Sequence, residues 1–234
     1  MPDAGRAETQ TVHDRLREAI LRHEVPADRP VSQVQLAKQL GVSRTPLREA
    51  LRLLEHEGLV EARRNHQIRV AAVSSTDLEE LYAMRITVEA FACMATVPSL
   101  GPKDFTGLDS ALEAMDDFAR RRDFEGWQAP HREFHQGLIR YAGARIQRLV
   151  SDLFDHSERY RRLYLSQPLS SAQGAEEHAA ILAACRAGDA PLAADRLARH
   201  LSKTALTVIA MLEPEHEPAK IRAALRFSRQ GTDV

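Results

Sequence analysis

The sequence predicts a mostly α-helical chain in two parts: three short helices and a β-hairpin at the N-terminal end, then an all-α bundle of six helices. Three observations carry that prediction. Apolar residues recur at helical spacing at Val12, Leu16 and Ile20, at Leu36, Ala37 and Leu40, and at Leu47, Ala50, Leu51 and Leu54. Past Gly58 the period changes, and "LVEAR" and "IRVAAV" read as short strands around the polar turn "RNHQ". From Ser75 to Leu212 nearly every stretch is amphipathic at the helical period, cut by "VPSLGP", "YAGA", "SQPLSS" and "RAGDAP".

The elements follow in order. Residues 1–10 read as a flexible N-terminus, and residues 11–24 as the first helix, ended by the two prolines of "VPADRP". Ser32 stands where it can cap the second helix, with Gln35 as the capping-box partner. Gly41 stops that helix, Ser43 caps the third, and Pro46 sits in its first turn, where a missing N–H is tolerated. Three helices and a hairpin in residues 11–73 make a winged helix-turn-helix. Helices are then expected at about 75–96, 103–121, 123–142, 145–166, 171–187 and 189–212, and the polar tail 213–234 reads as loosely attached with room for a short helix.

Bulk properties narrow the function classes. In 234 residues with net charge -1 there is no global pull toward a polyanion. Residues 1–73 hold 12 Lys+Arg against 10 Asp+Glu, so any basic surface must be local. Cys93 and Cys185 sit in alanine-rich apolar stretches and read as reduced core residues. No apolar run approaches the ~20 residues of a membrane span, and the N-terminus lacks a signal-peptide pattern. A cytoplasmic protein without membrane contact is expected.

The third helix raises a chemical question. Arg44, Arg48 and Arg52 recur at i, i+4 and i+8 and form one ridge, with the leucines on the opposite side. Such a ridge is either a solvated face or a surface that reads DNA. The cap, the turn, the three-helix spacing and a hairpin loaded with Arg63, Arg64, His66 and Arg69 favour DNA. In a helix-turn-helix the second helix enters the major groove by its N-terminal residues, here Arg44, Thr45 and Arg48. Arginine pairs bidentately with guanine or phosphate, and Gln35 and Lys38 can meet the backbone.

The second part carries its own signal. His131 and His135 stand at i and i+4, and His178 and His200 project from apolar faces of two further helices. Four histidines on three helices suit a metal site in a bundle, although a histidine on an apolar face is also commonly a hydrogen-bonded core residue. Glu133, between the first two, is rotated about 200° from each and points away from that face. Arg85 and Glu89 at i and i+4 either pair with each other or leave Arg85 for an anionic ligand. Arg159, Arg161 and Arg162 crowd "SERYRRLY"; most are expected in solvent and one can reach the pocket.

The segment "VSQVQLAKQLGVSRTPLREALRLLEHEGLVEA" resembles the DNA-binding domain of the GntR family of bacterial transcription regulators. That resemblance implies operator contacts by Arg44, Thr45 and Arg48, with Gln35, Ser43 and Arg52 on the same surface and the wing residues Arg63, Arg64 and His66 in the minor groove. The family's wing-tip glycine is replaced by Gln67. Residues 75–212 resemble the FCD ligand-sensing domain of the FadR-type subfamily through "REFHQGL", "EEHAAIL" and "ARHL". The resemblance implies a divalent metal beneath an acid effector. His135, His178 and His200 fall on the three histidine positions, and His131 takes the place of an aspartate. Four neutral imidazoles leave a metal its full 2+ charge and favour Zn, with Ni or Co as alternatives.

The expected function is therefore a homodimeric regulator, a repressor, on a pseudo-palindromic double-stranded operator. A small carboxylate effector bound at the metal, near Arg85, changes its hold on DNA. Two rivals remain: a regulator answering to metal alone, and a metal-dependent enzyme, for which no nucleophile or general base stands out.

Overall fold

The computed structural model describes residues 3–21, 24–26, 29–63, 65–165 and 170–230. The chain divides into two compact units, residues 1–73 and 74–234.

The first unit holds α1 (Asp3–Leu21), α2 (Gln33–Leu40) and α3 (Arg44–His56), with strands β1 (Val31–Ser32), β2 (Val60–Arg63) and β3 (Gln67–Val70). The strands form an antiparallel sheet in the order β1-β3-β2, with Val60 opposite Val70 and Arg63 opposite Gln67. The wing is thus a hairpin extended by a third short strand. Val12, Leu16 and Ile20 of α1 pack with Leu36, Leu47, Leu54 and Ile68 in one buried cluster. Each such aliphatic side chain contributes about 1.5–3 kcal/mol by leaving water.

Two local expectations are corrected here. Helix α1 already begins at Asp3, inside the stretch read as flexible. Ser32 and Ser43 do occupy N-cap positions, but neither side chain accepts a capping bond, so the Ser32–Gln35 box does not form. Ser32 is instead drawn into β1, opposite Gln67. Gly41 ends α2 with φ 67°, and its N–H reaches the carbonyls of Ala37 and Lys38; a β-carbon in that left-handed conformation is strained.

His13 ties α1 to the end of α3. Its ring hydrogen-bonds Glu57, which also accepts from Arg17 Nε at 3.0 Å, and lies 2.9 Å from Asp14. The bond to Glu57 raises the His13 pKa above 6.5, against a smaller opposing effect of burial. Because the folded pKa lies above the unfolded one, this stabilisation is fully present below pH 6.5 and fades as pH rises through the folded value. In denaturant unfolding, the stability gap between wild type and His13→Asn should shrink from pH 5.5 to pH 8.5. A gap that stays constant or widens would mean the pair does not titrate in this way.

The second unit comprises α4 (Ser75–Thr96), a 3-10 turn (Val97–Ser99), α5 (Pro102–Arg120), α6 (Phe124–Leu138), α7 (Ala144–His156), α8 (Glu158–Leu165), α9 (Ser170–Arg186), α10 (Ala190–Leu212) and α11 (Ala219–Gln230). Helix α4 packs against α7, α10 and α11 and buries Leu78, Tyr82, Ile86, Ala90 and Cys93. Helix α6 runs unbroken through Pro130, with Asp123 capping its start through the N–H of Gly126. Cys93 and Cys185 are free, buried thiols. Their mutual hydrogen bond, followed by burial, pushes the Cys93 pKa far up.

Two expectations about this unit are also corrected. The single helix expected over 145–166 is two, α7 and α8, broken at Ser157. At the break the Phe154 carbonyl accepts from Ser157 Oγ and Arg161 Nη1, both at 2.7 Å, side-chain bonds that compete with the helical ladder. The tail is not loosely attached. In "AKIRAALRF", Ile221 and Ala224 form a buried seam of α11 against the core. Glu79, itself buried on α4, accepts from the Lys220 N–H at 2.6 Å and lies 3.1 Å from His216 Nε2, satisfying a first-turn donor of α11. Among the described residues no helix is long and apolar enough to cross a membrane.

Candidate nucleic-acid interface and candidate metal centre

Helix α3 buries Pro46, Leu47, Ala50, Leu51 and Leu54. This orientation leaves Arg44, Thr45, Arg48 and Arg52 exposed on the other side. The Arg48 and Arg52 side chains keep 63% and 71% of their surface in solvent. Glu49 approaches them only at 3.9 and 3.7 Å, beyond hydrogen-bond reach. A cleft lined by Gln33, Arg44, Thr45, Leu47, Arg48 and His66 joins the start of α3 to the tip of the hairpin.

Gln33 carries no mark in the sequence pattern. It enters the cleft because its N–H donates to the His66 carbonyl at 3.1 Å, tying the hairpin tip to the start of α2. That cross-strand contact leaves no mark in the local pattern. Gln35 is exposed on α2 and does not line the cleft; Ser43 is exposed just before α3. Arg63 is exposed on β2 and ion-pairs with Glu61. Arg64 lies outside the described residues. The left-handed positions of the hairpin tip are Asn65 (φ 61°) and His66 (φ 53°), residue types that tolerate this region comparatively well. Gln67, at the family's glycine position, is already in β3.

In the second unit the four histidines converge. His131 and His135 come from one face of α6, His178 from α9 and His200 from α10, and all are buried. Each offers one nitrogen such that the four lie within 4.8 Å of one another. His131 Nδ1, both nitrogens of His135 and His178 Nε2 have no hydrogen-bond partner. A buried polar atom left unpaired costs about 1–3 kcal/mol. Several such atoms on rings that each bring one nitrogen within 4.8 Å of the others fit a metal ligand set better than a core of satisfied histidines.

The electrostatics agree. Burial, followed by the neighbouring imidazoles, holds His131 and His178 well below the ordinary histidine value. Burial brings His135 down to about 4, although Glu89 works the other way. The His131, His135 and His178 rings are therefore neutral and able to offer lone pairs.

Two carboxylates stand behind the cluster. Glu177 accepts from His200 Nδ1 at 2.8 Å, which leaves Nε2 to face the other rings. Glu89 Oε2 lies 3.5 Å from His135 Nδ1, and Arg85 and His135 hold Glu89 down to about 2 despite its burial. Carboxylates behind ligating imidazoles orient the rings and strengthen them as donors. The surroundings are thus not the bare four imidazoles that spacing suggested. Each carboxylate is, however, also paired, Glu89 with Arg85 and Glu177 with Lys203.

A cavity opens beside the cluster, with Tyr82, Arg85, Trp127, Arg161, Tyr164 and Thr204 in its wall. Trp127 stacks on His131, ring centroids 4.1 Å apart. Arg85 does pair with Glu89, at 2.6 Å, and hydrogen-bonds Tyr82 as well. Of the three crowded arginines, only Arg161 enters the cavity wall. Arg159 bonds Asp77 at 2.5 Å and Arg162 bonds Glu125 at 2.7 Å, so neither is simply solvated. Burial, then Arg85, brings the Arg161 pKa down to about 9.

Comparison with known proteins gives consistent answers for both units. Residues 8–70 match the gntR family of bacterial regulatory proteins, and residues 80–203 match the FCD domain. An HTH-type transcriptional regulator in an unstable DNA locus of Streptomyces ambofaciens is 32% identical over 84% of this chain and 83% of its own length. The HTH-type transcriptional repressor GlaR of Escherichia coli is 27% identical, covering 80% of this chain and 89% of its own. The solved structure of E. coli McbR/YncC superposes with a TM-score of 0.70 at 22% identity, over 87% of this chain and 98% of that one.

Proposed function

The chain belongs to the gntR family of bacterial regulatory proteins and carries an FCD domain, and from that premise we propose that it is a cytoplasmic, metal-dependent repressor released from its operator by a small carboxylate. It is a DNA-binding transcriptional regulator and not an enzyme; the metal, the effector and the sign of control are the proposal. The carrying observation is the set of four buried, convergent imidazoles beside a cavity with arginines in its wall. Four nitrogen ligands favour Zn²⁺, with Ni²⁺ or Co²⁺ next. When bound, the ion would supply a positive centre beside the cavity, and its charge would attract a carboxylate.

On DNA, Arg44, Thr45 and Arg48 are assigned to base edges and phosphates of the major groove. Ser43, Gln35 and Arg52 go to the backbone, and Arg63, Arg64 and His66 to the minor groove. Gln33 joins them on the strength of the cleft it lines. A pseudo-palindromic operator requires two copies. Met84 and Phe91, with Val88 half-buried between them, form an outward apolar stripe on α4, the first two 49% and 56% exposed. That stripe suits a homodimer seam. Phe91→Asp should shift the protein from dimer to monomer in light scattering; an unchanged mass would remove α4 from the interface.

Helix α8 supports a response that reaches beyond the pocket. It carries Arg161 into the cavity wall, while Tyr160 hydrogen-bonds Asp77 at 2.6 Å and the backbone of Ser74, the first residue of the second unit. An effector need only favour one of two states of that unit to change operator affinity. The test is fluorescence anisotropy of a labelled DNA fragment from upstream of the chain's own gene, with Zn-loaded and chelated protein and a panel of short carboxylic acids. Tight binding by the loaded protein, reversed by one acid, is expected. Binding that follows zinc with no acid response would make the metal the signal, and binding indifferent to both would remove the sensing role.

A further inference from the structure

Strand β2 forms one arm of the wing and is an edge of its sheet, since the strand order is β1-β3-β2. An edge strand presents N–H groups that no neighbouring strand takes. At Ala62 that donor is taken from outside the sheet: its N–H donates to Glu55 Oε1 on α3 at 3.2 Å. Glu55 is exposed and stands one turn beyond Arg52, on the helix that carries the arginine ridge. Arg48, Arg52, Glu55 and Ala62 line one groove between α3 and the sheet.

The hairpin is held against the helices at three levels. At its base, the Leu59 N–H donates to the Leu54 carbonyl at 2.9 Å. At its tip, the Gln33 N–H donates to the His66 carbonyl at 3.1 Å. The Glu55–Ala62 bond lies between them, and of the three it alone depends on a side chain.

The charge of Glu55 separates two roles. A carboxylate beside Arg48 and Arg52 repels phosphate and weakens the field that draws DNA to the ridge. If Glu55 is only a surface charge, removing it raises DNA affinity. If it braces the hairpin, removing it frees the wing and lowers affinity. The two roles therefore predict opposite signs.

We propose that Glu55 is a positioning residue for operator binding. Its bond to Ala62 fixes the hairpin against α3, so that the wing reaches the minor groove while Arg44, Thr45 and Arg48 occupy the major groove. The assignment rests on the DNA contacts proposed above for α3 and the wing, and adds the residue that sets their relative geometry.

The test compares wild type with Glu55→Ala and Glu55→Gln in the full chain. Glutamine keeps an acceptor oxygen and removes the charge, whereas alanine removes both. Anisotropy on the labelled upstream fragment at low salt should show Glu55→Ala binding about threefold to tenfold more weakly, the loss of one hydrogen bond. Glu55→Gln should bind at least as tightly as wild type. Hydroxyl-radical cleavage, which reports on the minor groove, should show the wing's protection in wild type and Glu55→Gln and its loss in Glu55→Ala. Amide exchange reads the bond without DNA: Ala62 should be protected in wild type and Glu55→Gln and should exchange freely in Glu55→Ala.

Equal or tighter binding by Glu55→Ala overturns the proposal, as does equal weakening by both variants. An Ala62 amide that exchanges alike in all three proteins overturns it as well. Wild-type protein that leaves no minor-groove protection would fail the reading of the wing separately; the order of the three affinities would still decide whether Glu55 braces the hairpin.

Discussion

His135→Ala protein purified without chelator is expected to contain no zinc, whereas the wild type carries about one ion per chain. His135 is the most demanding member of the cluster. Both its ring nitrogens are buried without a hydrogen bond, and its Nδ1 side is backed by Glu89. A ligand bound only by the folded state stabilises it by about 4 kcal/mol when free ligand exceeds Kd a thousandfold. Wild-type Tm should therefore fall by several degrees on chelation, and His135→Ala should sit near the chelated wild type and ignore the chelator.

The chain's single tryptophan supplies an independent signal. Trp127 stacks on His131, so Co²⁺ or Ni²⁺ should quench its fluorescence in the wild type and not in the mutant. No metal above background in the wild type, with both proteins equally stable, would make the four histidines packing residues. The DNA-binding half of the function would be untouched by that result.

Arg48→Ala is expected to weaken operator binding about tenfold to a hundredfold, the cost of one bidentate base or phosphate contact. The side chain is largely solvated and makes no close ion pair, so its removal costs the fold little. Unfolding midpoints of mutant and wild type should agree. The salt dependence of affinity separates two roles: a lost phosphate contact flattens the slope by about one unit, while a lost base contact relaxes sequence preference and leaves the slope. Arg52→Ala, farther along the helix, should cost less. Operator affinity unchanged by Arg48→Ala would detach the arginine ridge from DNA and return it to a solvated face.

Local pattern encodes the helix-turn-helix almost fully and the histidine cluster only in part. The leucines of α3 repeat at helical spacing, and burying them leaves the arginine ridge outside. The positions of His131 and His135 on one face of α6 follow from the same periodicity. The seam of α11 was in the sequence as well, in Ile221 and Ala224. What local pattern does not encode is its attachment: the residues before it are polar, and its partner Glu79 lies far away in the chain.

The sequence by itself determined the helical periods, the turn at Gly41, the exposed arginine side of α3 and the histidines on apolar helix faces. Each depends on neighbours within a few positions. Only the tertiary structure decided that four histidines from α6, α9 and α10 meet within 4.8 Å. It alone placed Glu89 and Glu177 behind them, chose Arg161 from three crowded arginines, and broke a long helix at Ser157. These outcomes rest on contacts between residues distant in the chain and on the exclusion of water from one interior. Spacing along a single helix encodes neither.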